Sequence, residues 1–148
     1  MPRIRVATTI PAPPSAVWRS VSDLASHVGW MADAEAIRFT SGRRTGVGTT
    51  MEVDTRVGPF RLTDVLEVTE WRRGRAIGVR HAGVVGGTGR FTLRRSGLRP
   101  RSTRFTWDEQ LVFPPWLGGP VGALAAAPVL RRIWRGNLRR LRENFVTR

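Results

Sequence analysis

Residues 102–130 read Ser-Thr-Arg-Phe-Thr-Trp-Asp-Glu-Gln-Leu-Val-Phe-Pro-Pro-Trp-Leu-Gly-Gly-Pro-Val-Gly-Ala-Leu-Ala-Ala-Ala-Pro-Val-Leu. The first part has period two. Phe105, Trp107, Glu109, Leu111 and Phe113 fall on one face of a strand, with Arg104, Thr106, Asp108 and Gln110 on the other. Pro114-Pro115 removes two backbone donors and ends the strand. Beyond Gly118-Gly119 the period becomes helical, with Pro120 in the first turn, where a missing N–H costs nothing. Val121, Leu124, Pro128, Leu130, Ile133, Trp134, Leu138, Leu141 and Phe145 then form an apolar stripe. Pro128 is expected to kink or split this helix. A half-apolar strand followed by a long amphipathic helix leaves two stripes that must be buried together.

Upstream, the pattern repeats as short strands. Residues 34–40, 49–57, 60–71, 75–81 and 88–95 alternate, separated by turn signals at Gly42, Gly46-Val47-Gly48, Gly58-Pro59 and Arg72-Arg73-Gly74. A further turn is expected around Gly97 and Pro100. Such a run of hairpins implies an antiparallel meander that buries one face. At the start, Ile4, Val6 and Ile10 mark a strand over residues 3–10. Pro13-Pro14 opens a short helix carrying Val17, Trp18 and Val21, and Asp23 is placed to cap a second that ends near Gly29. The predicted fold is α+β: a curved antiparallel sheet of about seven strands round a long C-terminal helix, with two short helices after the first strand. The 148 residues form a single domain, 1–148.

Composition narrows the chemistry. The formal charge is +14, from 25 basic and 11 acidic residues, and every basic residue is arginine. Complete replacement of lysine points to genome-wide codon bias and weakens any inference from charge to nucleic acid. With no lysine, cysteine or tyrosine, Schiff-base, thiolate and phenol chemistry are excluded. Proton transfer is left to His27, His81, carboxylates, hydroxyls or water. No cofactor is expected, and two isolated histidines give no metal-ligand spacing. No stretch approaches a membrane span and the first residues lack a signal-peptide core, so the expectation is a cytoplasmic protein.

Residues 119–127, Gly-Pro-Val-Gly-Ala-Leu-Ala-Ala-Ala, are mostly small, so this half of the terminal helix fills little volume and can leave a hollow against the sheet. The chain also resembles the START-like, or SRPBCC, superfamily with its helix-grip fold, and more narrowly its bacterial polyketide cyclase/dehydrase-type members. The resemblance spans about residues 4–146. It is carried by Ile10-Pro11-Ala12-Pro13 running into Val17-Trp18, Val21-Ser22-Asp23 and Trp30. Gly46-Val47-Gly48-Thr49, Val68-Thr69-Glu70-Trp71, the 102–107 strand and Asn137-Leu138-Arg139-Arg140-Leu141 complete it. What it implies is a hydrophobic cavity for a lipid, polyketide-like or aromatic molecule. Members include cyclases, carriers, receptors and chaperone activators, so the resemblance itself assigns no catalytic residue.

Several residues are candidates for that site. Glu109 shares a face with Phe105, Trp107 and Leu111; it is either an arginine's partner or a desolvated carboxylate able to act as acid or ligand anchor. His81 shares a face with Ile77 and Val79 and is either a strand-end histidine bonded to backbone or a proton-transfer group. Asp64 lies between Leu62 and Leu66 and points inward unless a bulge turns it out. Trp30, Phe39, Met51 and Trp107 could wall a flat ligand, with Leu124 facing it from the helix; Trp18, Trp71 and Trp134 read as core or rim. His27 reads as a solvent-facing cap. Gly83–Gly89 lacks a following helix, so it reads as a flexible hairpin loop at the cavity mouth rather than a phosphate cradle.

Arg131, Arg132, Arg135, Arg139, Arg140, Arg142 and Arg148 stand against Glu143 on a basic amphipathic helix. This is either a solvated face or a surface for anionic membrane or nucleic acid, the latter unsupported by any RNA-binding motif. Three functions follow: a binder of one hydrophobic small molecule, a cyclase or dehydratase using the same cavity, and a basic adaptor acting through Arg131–Arg148. Whether the chain is an enzyme stays open at this level, as does monomer against homodimer.

Overall fold

A computed structural model describes residues 3–96 and 101–146. In chain order the elements are β1 (Arg3–Ile10), α1 (Pro14–Val21), a 3-10 turn (Leu24–Gly29), β2 (Ala34–Phe39), β3 (Thr50–Val57), β4 (Phe60–Arg72), β5 (Ala76–Ala82), β6 (Gly86–Arg95) and β7 (Thr103–Val112). A short 3-10 turn, Pro115–Leu117, leads into α2 (Gly119–Val146). The seven strands form one antiparallel sheet in the order β1-β7-β6-β5-β4-β3-β2. The meander from β2 to β7 follows the chain, but β1 pairs with β7, Arg3 opposite Gln110 and Ile10 opposite Thr103. Consecutive strands β1 and β2 therefore lie at opposite edges, and α1 with the first 3-10 turn bridges between them. The turn expected around Gly97 and Pro100 lies outside the described residues.

The long helix buries Ala123, Ala127, Leu130, Trp134, Leu138 and Leu141, a stripe at spacings of three and four, and packs mainly on β1 and β7. Asn137, fully buried beside that stripe, latches it: its amide N–H donates to Asp33 Oδ1 at 2.8 Å, and its Oδ1 accepts from the Ala32 backbone N–H at 3.0 Å. Trp134 Nε1 donates to the other Asp33 oxygen at 3.1 Å. The sheet's outer face carries ion pairs across strands, Arg38 with Asp54, Arg80 with Glu67 and Arg90 with Glu70.

Four local expectations are revised. Pro128 does not split α2; it sits at an exposed position inside one continuous helix. Asp23 precedes the 3-10 turn but its carboxylate makes no capping bond; its backbone carbonyl accepts from Ser26 instead. The segment 83–89 is not a loop throughout. From Gly86 it is strand β6, and Gly87 adopts a φ of 113°, which a side chain disfavours, because a Cβ there would collide with the Gln110 carbonyl. His27, expected at the surface, is buried, as described next.

Candidate functional site

Between the inner face of the sheet and α2 lies a cavity of about 520 Å³, within the range typical of small-molecule sites. Its walls are apolar, including Met51, Val53, Leu66, Val79 and Leu111 from four strands and Ala126 from α2. The room exists because α2 faces the sheet here with Gly122, Ala125 and Ala126. Phe60 and Val129, 64% and 52% exposed, mark its open side.

Three ionisable side chains meet in this apolar wall. His81 on β5 and Glu109 on β7 are two strands apart, with β6 between them. They nevertheless touch, His81 Nε2 lying 2.7 Å from Glu109 Oε2. Contact is possible because β6 presents glycine there: Gly87 is the register partner of His81, and Gly89 of Glu109. A Cβ built on Gly89 would lie 2.5 Å from Glu109 Oε1, so the carboxylate occupies the space of the missing side chain. Trp107 Nε1 donates to the same Oε1 at 3.0 Å and fixes the carboxylate from below. On the other side, Asp64 of β4 places Oδ1 3.8 Å from His81 Nδ1. That is ion-pair distance, too long for a hydrogen bond. The β4 bulge lies at Val68–Glu70, beyond Asp64, so it leaves Asp64 facing inward.

Electrostatics follow from this arrangement. Burial opposes charge on His81, but the carboxylates of Asp64 and Glu109 outweigh it and raise its pKa to about 10. At neutral pH the ring is an imidazolium, and both nitrogens are donors. His27 behaves oppositely. Burial lowers its pKa to about 4, despite the favourable bond to Val21 and the charge of Asp23. A neutral ring whose Nε2 stands 2.7 Å from the Val21 carbonyl carries its proton on that nitrogen.

The cavity thus brings together Met51, Asp64, His81, Trp107 and Glu109. Three other candidates lie elsewhere. Trp30 is buried behind the wall, in a ring cluster with Phe91, Phe105 and Trp107. Phe39, at the far end of β2, lies under the Arg44 guanidinium, 4.5 Å from the ring centroid. Leu124 is 65% exposed: the buried stripe runs through Ala123 and Ala127, which turns Leu124 to the outside. Sequence reasoning missed Trp134, which lines the cavity and stacks on Trp107 at 4.7 Å, and the role of Gly89. A glycine inside a strand pattern was the available signal for the latter. On α2, Arg132, Arg135, Arg139, Arg140 and Arg142 are all exposed, and the last two donate to the carbonyls of Trp30 and Thr9. Arg148 lies outside the described residues. No helix among the described residues is long and apolar enough to cross a membrane.

Comparison with known proteins bears on the fold. TTHA0849 from Thermus thermophilus superposes with a TM-score of 0.81 at 19% identity, covering 99% of this chain and 98% of that one. The Zhui aromatase/cyclase from Streptomyces sp. R1128 gives 0.76 at 14% identity over 98% and 93%. A START superfamily protein from Mycobacterium smegmatis gives 0.66 at 17% over 94% and 98%. At these identities the likeness shows the helix-grip fold alone. No curated protein matches the sequence. A family model described as polyketide cyclase / dehydrase and lipid transport matches residues 1–146, and on that match over nearly its whole length the chain belongs to this family.

Proposed function

We propose that the protein binds one hydrophobic small molecule, of lipid, polyketide-like or aromatic type, in the cavity between the sheet and α2. The supporting observation is an apolar hollow of about 520 Å³ that is polar only locally, at Asp64, His81 and Glu109 in particular. Burying about 400 Å² of apolar ligand surface gains about 10 kcal/mol gross, above the lower bound of about 4 kcal/mol for association. Native mass spectrometry of protein purified from its own host tests the reading. A retained small molecule is expected, and it should disappear in Ala126→Phe, whose ring fills the hollow. Protein that carries no ligand and takes up no apolar fluorophore overturns it.

A second reading, a cyclase or dehydratase using the same cavity, is favoured by one observation: His81 stands on the cavity wall between the carboxylates of Asp64 and Glu109, which favour its protonated form. It could protonate a departing hydroxyl, which leaves as water while Asp64 takes the α-proton of the substrate. His81→Gln would then lose turnover while still taking up an apolar fluorophore such as pyrene. The adaptor reading of Arg131–Arg148 has less support, since Arg140 and Arg142 are engaged within the fold.

A further inference from the structure

This inference rests on the binding reading above and specifies the ligand's polar group. The charged residues lining the cavity are Asp33, Asp64, His81, Arg90 and Glu109, with His27 held neutral. The Arg90 guanidinium lies on the outer face of the sheet, where Nε and Nη2 stand 2.7 and 3.1 Å from the two Glu70 oxygens. Asp33 accepts from Trp134 and Asn137. What remains is one imidazolium between two carboxylates, an excess of one negative charge, with no free cation among the described lining residues.

The local valences sharpen this. Glu109 is satisfied on both oxygens, by His81 and Trp107. His81 Nδ1 and Asp64 Oδ1 are buried and without a hydrogen-bond partner among the described residues, although the His81 side chain is only 8% exposed. Asp64 Oδ2 has only the long 3.5 Å contact from Thr55 Oγ1. A donor and an acceptor 3.8 Å apart are too far to bond each other, yet one oxygen can stand within about 2.8 Å of both. That oxygen must accept from Nδ1–H and donate to Oδ1. A hydroxyl does both. A carboxylate can only accept and faces excess negative charge; an ammonium can only donate; a hydrocarbon does neither. A hydroxyl gives both buried atoms a partner, whereas each of the other groups leaves at least one of them without one.

We propose that the cavity selects uncharged apolar molecules bearing a hydroxyl, which bridges His81 Nδ1 and Asp64 Oδ1, and rejects ligands ending in a free carboxylate.

Four fluorophores of one ring system test this: pyrene, 1-hydroxypyrene, 1-aminopyrene and 1-pyrenecarboxylate, titrated at pH 7 into the full chain. The expected result is 1-hydroxypyrene tighter than pyrene by about tenfold, 1-aminopyrene between them, and 1-pyrenecarboxylate weaker than pyrene. In Asp64→Leu the hydroxyl advantage should shrink towards one and the carboxylate should gain. Equal affinity for pyrene and 1-hydroxypyrene, or a carboxylate that binds as well as the hydroxyl compound, overturns the selection while leaving the cavity reading intact. Failure of all four, pyrene included, removes the cavity reading and the selection with it.

Discussion

Gly89→Ala should be destabilising, against the usual sign for such a change. In a strand interior, replacing glycine by alanine normally stabilises by about 0.5–1 kcal/mol, because the unfolded chain loses freedom. Here the added Cβ would stand 2.5 Å from Glu109 Oε1 and 2.7 Å from its Cδ. The obstacle is the end of a flexible side chain, so the carboxylate moves and the sheet persists. Moving it breaks the bonds to His81 and Trp107, at 2.7 and 3.0 Å. Loss of a charge-assisted bond costs about 1.5–3 kcal/mol, which exceeds the gain. The net loss is about 1 kcal/mol or more, and the melting temperature should fall by about 3 °C. The same displacement removes one of the two carboxylates that hold His81 protonated. NMR titration of the His81 ring should then show its pKa falling from about 10 towards 6.5. A stabilised Gly89→Ala protein whose His81 still titrates near 10 would falsify the account of how these two strands communicate.

Two further outcomes are expected. His27, kept neutral by burial, contributes stability that is present above pH 6.5 and lost as the pH falls towards about 4. That is worth about 3 kcal/mol. His81, kept protonated, contributes stability that is present below 6.5 and lost as the pH rises through about 10. Denaturant midpoints against pH should therefore fall away on both sides of a neutral plateau, and His27→Gln should flatten the acid side only. Asn137→Ala strips partners from Asp33 and from the Ala32 N–H at a fully buried position, and should cost about 2–4 kcal/mol by urea unfolding.

Strand alternation carried much of this architecture and part of its interior. Trp107, Glu109 and Leu111 face inward because a period of two leaves them no other choice once Phe105 is buried. Asp64 was legible on the same grounds. The union of His81 with Glu109 was not, because it depends on which strand lies between them and on the register of that strand's glycines. His27 was misplaced because a six-residue 3-10 turn has too little periodicity to mark an inner face. Leu124 failed through size. A large apolar residue looks like part of a stripe, yet the surface α2 buries here is built from the neighbouring Ala123 and Ala127. The edge position of β1 had no local signal at all.

That position has a kinetic consequence. The register partner of Arg3 is Gln110 and that of Ile10 is Thr103, so β1 finds its place only after residues 103–110 have emerged from the ribosome. Until then Ile4, Val6 and Ile10 remain uncovered, and the growing meander presents one raw border after another to its surroundings. Closing so long a loop comes late and slowly, which makes this seam the step at which nascent chains compete between maturation and mutual entanglement.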